Sequence, residues 1–582
     1  MKIAIVRNRG GVEYFHNKSV TYLCLTLESY HFAKKTDKNV LYPYKFNQLH
    51  DVDYYDMAKK LSYEHLDSFY KELDLKGDEK AYLVSRIITF FAMTIFDINL
   101  AKSIVNKYKN DDIYCFSEKN ISIVKGEWSP SSGFHYFIEI LKIISKNNGI
   151  NLYFYKENFS SEDSQRKNNI LLDRAEKYKF YLTILTKDLS FFFNNGRKDL
   201  IYVSGIRGCN AELVKDLDSK GFNVIHNTGS LVFKSLSRVL LFFHYKKNTD
   251  WRYHKSNRIN RGFLDEYRGF LYKNNKVFDS EFVDIDKLIR LYCFERDMYV
   301  YFFKKKPPIA VVSQNNSIQI LAANSLNIKT FHISHGIVVT PELSPMLGKY
   351  NYLSSKVQSD YHFSKEMAFN NTVKIPPIHI STKSHQAKKV FKSEDHRVIL
   401  LAKNMGMRRW EFDDYKEYFL LCESVVNATK KFGCELLVKI HPSGGRHMLD
   451  IYKSLGIFKH SHVSVSISSD YMDELNGSSI VISMQESSAI FQAICKERLV
   501  IFPTSHYSKP YKNNIMLDYI SSNITSPKNT HDLDAYLLFI LKSHENYDIS
   551  LERQKTVFSA DVTCASKSEV SKKISKHIVK YI

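Results

Sequence analysis

At 582 residues the chain is too long for one ordinary hydrophobic core, so two or three domains are expected. Hydrophobic residues make up 44% and aromatics 14%, the values of a folded chain, which excludes disorder as its general state. The net charge of +21, from 83 Lys+Arg against 62 Asp+Glu, favours polyanions (nucleic acid, an anionic membrane face, phosphorylated substrates or an acidic glycan), although a solvated lysine-rich surface explains it equally well.

The opening Met1-Lys2-Ile3-Ala4-Ile5-Val6-Arg7 reads as a first β-strand and not as a signal peptide. The strongest apolar run, 87–96, is broken by Asp97 and is far short of the ~20 residues that span a bilayer. It is expected to be a buried helix, and the protein cytoplasmic, with a peripheral habit at the inner face of the membrane. From about residue 110, β-branched runs at 112–116, 151–155, 199–204, 222–226, 309–313 and 330–334 alternate with helix-length segments such as 134–145 and 211–219. Strands alternating with helices predict parallel βαβ units in a doubly wound sheet. The stretch 349–377 lacks clean periodicity and ends at Pro376-Pro377. Alternation then restarts, with strands at 398–402, 435–440, 463–467, 479–484 and 499–503 and helices at 415–431, 448–455 and 488–495.

The expected fold class is therefore α/β, with two Rossmann-like domains facing across a cleft in the GT-B plan. One Rossmann-like domain would occupy 1–350 and a second 351–545. A helical tail at 546–582 would cross back to the first domain. In that tail Val570, Ile574, Ile578 and Ile582 share one helical face and Lys572, Lys573, Lys576 and Lys580 lie around the rest. Such a helix either packs its apolar stripe on the protein or lies on an anionic membrane. The eight cysteines are scattered, with no metal-ligand spacing, and read as buried thiols in a reducing compartment.

Three strand-end motifs carry the chemistry. Lys439-Ile440-His441-Pro442 closes one strand, and Ser443-Gly444-Gly445-Arg446 opens the following helix. Small residues there let backbone N–H groups approach an anion, so Lys439, His441 and Arg446 can hold a phosphate or diphosphate leaving group. Gln485-Glu486-Ser487-Ser488-Ala489 follows the strand at 479–484. Its serines suit an N-cap or a phosphate, and Glu486 can accept from a ribose or sugar hydroxyl. Ser334-His335-Gly336 closes a strand in the first half, where His335 has the chemistry to take a proton from an acceptor hydroxyl. His332, on the same strand, reads as a core residue. Three weaker segments, Arg7–Gly11, Asn404–Arg409 and 245–262, are basic loops that suit either a ligand or solvent.

Strand–His-Gly in the first half, then Lys-x-His-Pro and a Ser-Ser turn in the second, resembles the CDP-glycerol glycerophosphotransferases that polymerise teichoic acids. It is also similar to the bacterial sialyltransferases and Kdo transferases of capsule and lipopolysaccharide assembly. The likeness covers roughly residues 309–505. It implies that His441, Ser487 and Ser488 contact the donor's phosphate and that His335 is catalytic. The teichoic enzymes usually show Arg where Lys439 stands and Asp before the serines, where this chain has Gln485-Glu486. The sialyltransferase acidic-acidic-Gly motif has its nearest approach at Asp111-Asp112, with Ile113 in place of the glycine.

The expected activity is glycosyl transfer from a nucleotide-activated donor, CMP-linked and Kdo- or sialic-acid-like, to a glycan or lipid-linked glycan of the cell surface. His441, Lys439, Pro442, Arg446, Glu486, Ser487 and Ser488 would hold the donor, and His335, Asp111 or Asp112 would serve as base. No cofactor is expected beyond the donor itself, and no DxD-like pair suggests a metal. Transfer of a polyol phosphate from a CDP-linked donor uses the same apparatus. A UDP-GlcNAc 2-epimerase-like isomerase shares the fold, but Ser487-Ser488-Ala489 replaces its Gly-Gly-x-x-Glu-Glu turn. Nucleic-acid binding fits the charge, yet no recognition motif supports it.

Overall fold

The computed structural model describes residues 1–36, 38–42, 57–58, 60, 77–117, 133–156, 199–204, 209–227, 296, 299–300, 303–304, 306–314, 318–334, 346–353, 371–375, 396–403, 414–440, 445–467, 471–485, 487–507, 520–522, 524–559 and 565–582. Three open sheets run through them, and every strand pairing is parallel. The α/β class read from the alternation is the class observed, with three sheets where two were expected.

The first sheet has the order β3-β2-β1-β4-β5, from β1 (Lys2–Val6), β2 (Thr21–Cys24), β3 (Val40–Leu41), β4 (Asp112–Ser117) and β5 (Leu152–Lys156). The helices along this part of the chain are α1 (Arg9–Tyr14), α2 (Leu27–Lys34), α3 (Gly77–Lys107) and α4 (Gly133–Asn147). The apolar run at 87–96 falls inside α3, and among the described residues no helix is long and apolar enough to cross a membrane.

In the second sheet the order is β11-β10-β9-β8-β6-β7. It comprises β6 (Leu200–Ser204), β7 (Asn223–Asn227), β8 (Ala310–Gln314), β9 (Lys329–Ile333), β10 (Tyr350–Leu353) and β11 (Thr372–Lys374), with α5 (Cys209–Ser219) and α6 (Ile318–Ser325). β6 and β8 are buried at every residue, as strands covered on both faces must be. Gly348, before β10, admits no side chain: a Cβ there would sit 2.7 Å from the His332 backbone nitrogen.

The third sheet runs β14-β13-β12-β15-β16. Its strands are β12 (Arg397–Leu401), β13 (Glu435–Lys439), β14 (Val463–Ser466), β15 (Ile480–Ser483) and β16 (Leu499–Ile501). Between and after them lie α7 (Tyr415–Lys431), α8 (Gly445–Ser454), α9 (Tyr471–Asn476), α10 (Ser488–Cys495), α11 (Thr530–Lys542), α12 (His544–Ser559) and α13 (Lys567–Tyr581).

The expected division at residue 350 is not the division of the folded chain. One compact unit comprises Met1–Ala58, Thr89–Glu157 and Ile380–Cys564, so the first and third sheets belong together. Their apolar side chains form one core, from Ala4, Val6 and Tyr22 to Val398, Leu421 and Ile480. Tyr42 donates to Asp414 Oδ1 at 3.0 Å, and Tyr415 donates to the Leu25 carbonyl at 3.2 Å. The second unit comprises Lys59–Ile88, Asn158–His379 and Ala565–Ile582, and holds the second sheet. Sheet membership depends on contacts hundreds of residues apart, which local patterning does not record.

The expected tail at 546–582 is likewise split. α12 lies in the first unit, whereas α13 lies in the second and buries Val570, Ile574 and Ile578 against Ile201, Leu213, Leu217 and Phe331. Those three side chains keep 1%, 0% and 0% of their surface, and each such burial stabilises by about 1.5–3 kcal/mol. A Ser566–Glu569 capping box starts the helix, and Lys329 donates to the Tyr581 carbonyl at its end. Lys572, Lys573, Lys576 and Lys580 face solvent. The helix thus packs its apolar stripe on the protein, the first of the two alternatives its pattern offered.

Of the cysteines, Cys24, Cys115, Cys422 and Cys434 are buried thiols outside any disulfide. Burial pushes their pKa values up, to about 12 for Cys422, so they stay protonated. Cys495 differs from the sequence reading, because it is disulfide-bonded.

Candidate functional site

Open parallel sheets bind ligands beyond the carboxyl ends of their strands, where the direction of winding reverses. In the third sheet β13 and β14 are added on one side of β12 and β15 and β16 on the other, so the reversal falls between β12 and β15. Leu401 registers with Ser483, and the Met484 N–H donates to the Leu401 carbonyl at 3.0 Å. Beyond that pair stand Lys403 from one strand and Met484, Gln485 and Ser487 from the other.

Lys403 was missed by the sequence reading. It is 5% exposed, and its ammonium lies 4.4 Å from the centroid of the Tyr507 ring. The Tyr507 hydroxyl donates to the Met484 carbonyl at 3.1 Å, and His506 Nε2 lies 3.0 Å from the same oxygen. A carbonyl oxygen only accepts, so Nε2 carries the proton there. The lysine is thus tied through one ring to the strand end that precedes Ser487.

The backbone of Lys403 is held by a closed ring of three hydrogen bonds. Its N–H donates to the Tyr418 hydroxyl at 3.1 Å, the two hydroxyls of Tyr418 and Tyr452 lie 2.7 Å apart, and Tyr452 donates to the Lys403 carbonyl at 2.5 Å. Only one proton arrangement satisfies all three: Tyr418 accepts from Lys403 and donates to Tyr452, which donates to Lys403. Both phenols are fully buried, and burial raises their pKa values well above the ordinary 10. Tyr418 comes from α7 and Tyr452 from α8, the helix that follows the His-Pro loop.

Lys439 does close β13 as expected, but its ammonium is already matched. Its Nζ lies 2.8 Å from Glu474 Oε2, and the two side chains keep 5% and 15% of their surface. Ser466, at the end of β14, donates to Glu474 Oε1 at 2.9 Å. Glu474 thereby ties together the ends of two adjacent strands. His441 and Pro442 lie outside the described residues, as does Glu486. For Arg446 and Ser488 the backbone is described: each sits in the first turn of its helix, α8 and α10.

Ser487 is the N-cap of α10, its hydroxyl accepting from the Ala489 N–H at 3.2 Å. Capping uses a lone pair and leaves the hydroxyl proton to donate outward, so the cap and an anion contact are compatible. Tyr471 braces the same turn by donating to the Ala489 carbonyl at 3.2 Å.

Asp111 and Asp112 stand at the wrong end of their strand for a catalytic base. Asp112 begins β4 and registers with Lys2 at the start of β1, while Asp111 is ion-paired with the amino terminus of Met1. Both therefore lie at the amino ends of the first sheet, away from the edge where ligands bind. At its carboxyl edge, Asn8 caps α1 by accepting from Gly11. Gly11 has a packing role: a Cβ there would meet Phe116 and Val6 at 3.3 Å.

In the second sheet His332 is the core residue it was read to be, fully buried and accepting at Nδ1 from the Leu347 N–H at 2.9 Å. His335 lies outside the described residues, as do 245–262 and 404–409. The winding reversal here falls between β6 and β8, whose last serines meet: Ser204 donates to Ser313 at 2.8 Å, beside buried Gln314. Sequence reading passed over these three, although serine ending an apolar strand was a visible signal. Among the described residues no group of three or more His, Cys, Asp or Glu could hold a metal ion.

No protein-family model matches the chain, and no curated protein matches it. Solved structures similar to it include the MnaA–UDP co-structure from S. aureus, at 12% identity and a TM-score of 0.40, covering 66% of this chain and 97% of that one. The UDP-GlcNAc 2-epimerase from Neisseria meningitidis bound to UDP-GlcNAc is also similar, at 12% identity and 0.40, covering 66% and 100%. So is MurG from Acinetobacter baumannii, at 10% identity and 0.37, covering 66% and 99%.

Proposed function

We propose that the chain is a glycosyltransferase whose nucleotide-activated donor binds at the carboxyl edge of the third sheet. The observation that carries this reading is the winding reversal between β12 and β15. There a lysine only 5% exposed, Lys403, ends one strand, and the Ser487 cap of α10 follows the other. A fixed cation with a helix amino terminus suits a phosphate or diphosphate, and a low-dielectric setting strengthens its hold on the charge that builds on the leaving nucleotide.

In this reading His441, Pro442, Arg446, Glu486 and Ser488 complete the donor site, and His335 takes the acceptor's proton. Lys439 acts at one remove, holding Glu474 and the strand ends. The donor is CMP-linked and Kdo- or sialic-acid-like, and the acceptor is a glycan or lipid-linked glycan of the cell surface. The His-Pro and Ser-Ser elements support that choice.

A thermal-shift panel of CMP, CDP, UDP and GDP, run on wild type, Lys403→Ala and His441→Ala, tests the reading. Wild type should be stabilised by CMP, and both variants should respond less. Stabilisation of wild type by none of the four would sink the donor site. A response to CDP alone would replace the sugar donor with a CDP-linked polyol.

A further inference from the structure

Six aromatic side chains share one face of the first sheet. Register pairs Tyr114 with Tyr153 and Phe116 with Tyr155, so all four point the same way, while Ile113 and Cys115 are buried on the other face. α1 and its C-cap bring Tyr14 and Phe15 onto them: Tyr14 lies 5.3 Å from Phe116 and 5.2 Å from Tyr155, and Phe15 lies 5.8 Å from Tyr155. The rings of Tyr114 and Tyr153 stack at 5.0 Å. Tyr14 and Tyr153 keep 39% and 42% of their surface and Tyr114 and Tyr155 are half-buried, whereas Phe15 and Phe116 are buried in the core beneath them.

A cation lies over two of these rings. Lys18 Nζ lies 4.1 Å from the Tyr14 centroid and 4.3 Å from that of Tyr155. The turn that carries it is built to hold it, because Lys38 donates to the carbonyls of Phe15, at 2.9 Å, His16 and Lys18. An ammonium flanked by two tyrosine rings is a poor seat for a hydrocarbon partner, which would strip its water and return nothing. A sugar ring is better matched. Its C–H face stacks on a tyrosine, its hydroxyls meet the phenols, and a carboxylate on the ring meets the ammonium.

We infer that this strip docks an acidic, carboxylate-bearing glycan chain, the acceptor or product of the transfer proposed above. The choice of glycan rests on that reading; the fit to an anion with a flat apolar face does not. Single-stranded nucleic acid also combines stacking with charge, but it carries one phosphate per nucleotide and calls for a cationic groove along its whole path. Here the Lys18 ammonium lies over the rings of Tyr14 and Tyr155, and the Lys38 ammonium is taken up by backbone carbonyls.

The test uses the full-length chain and titrates oligogalacturonate, with maltooligosaccharide of equal length as the neutral probe, in isothermal calorimetry. Wild type should prefer the acidic probe, and Tyr14→Ala and Tyr153→Ala should each weaken it by about tenfold. Lys18→Met should abolish the preference while sparing the neutral probe. The triple variant Lys572→Ala, Lys573→Ala, Lys576→Ala, on the basic helix of the other unit, should change binding less than twofold. No wild-type binding, no effect of the strip variants, an equal loss in the triple variant, or tighter oligo-dT binding through the same residues would each overturn the inference. The nucleotide thermal shift should persist in all strip variants. Its absence in wild type would instead strike the donor reading and leave glycan docking standing.

Discussion

Lys439 Nζ lies 2.8 Å from a Glu474 carboxylate oxygen, and the pair is almost wholly withdrawn from water. A buried pair adds little net stability when intact, because each ion gave up its hydration to form it, yet removing one partner strands the other. Lys439→Ala should therefore cost about 3–5 kcal/mol in urea denaturation, whereas Lys439→Met with Glu474→Leu should cost far less. Equal losses in the single and double variants would show that the pair is not the reason for the cost.

The Tyr418–Tyr452 ring makes a second non-additive prediction. Tyr418→Phe leaves the Lys403 N–H without its acceptor, and Tyr452→Phe leaves the Tyr418 proton and the Lys403 carbonyl without partners. Each should destabilise by about 1–3 kcal/mol, the cost of a buried polar group left unmade. The double variant should lose less than the sum, since the ring is broken once. Chemical denaturation of the three variants measures it.

His31 gives a pH dependence of known sign. Burial, with Lys35 nearby, lowers its pKa to about 4. The unfolded imidazole takes a proton near pH 6.5, so between the two values the unfolded chain binds more protons than the folded one. Stability present above about pH 6.5 is lost as pH falls toward 4. His462 and His577 are lowered in the same sense by burial and by neighbouring cations. His31→Leu should raise the melting temperature at pH 5 relative to wild type more than at pH 7.5. An equal effect at both pH values would exclude the imidazole's charge as the cause.

Much of the α/β pattern was legible because buried parallel strands are written as apolar, β-branched runs, as in Leu200–Ser204 and Ile480–Ser483. β10 was not. Tyr-Asn-Tyr-Leu is too short a run to show alternation, and buried Asn351 exchanges two hydrogen bonds with Gly348, at 3.0 and 2.8 Å. At the site, strand-end position was readable for Lys439 and Ser487, but the partner that neutralises Lys439 was not, since Glu474 arrives from another helix. Lys403 gave no signal in the sequence, because its distinction is the Tyr507 ring beneath it and the two phenols around its backbone. Asp111-Asp112 misled for the opposite reason: a local motif says nothing about which end of a sheet it occupies.

Ser487 offers the sharpest separation of a structural role from a binding one. Its hydroxyl caps α10 through the Ala489 N–H, and loss of such a cap costs about 1 kcal/mol. Ser487→Ala should therefore lower stability by that amount and also weaken the response to CMP, which leaves the two roles confounded. Ser487→Asp separates them. Aspartate caps a helix as well as serine does and favours the positive end of its dipole, so stability should be kept or slightly raised. The same carboxylate would stand where the donor's phosphate is proposed to bind and has no proton to donate, so like-charge repulsion should abolish the CMP-induced thermal shift. A stable Ser487→Asp variant that still responds fully to CMP would confine Ser487 to the cap and move the phosphate site elsewhere on the sheet edge.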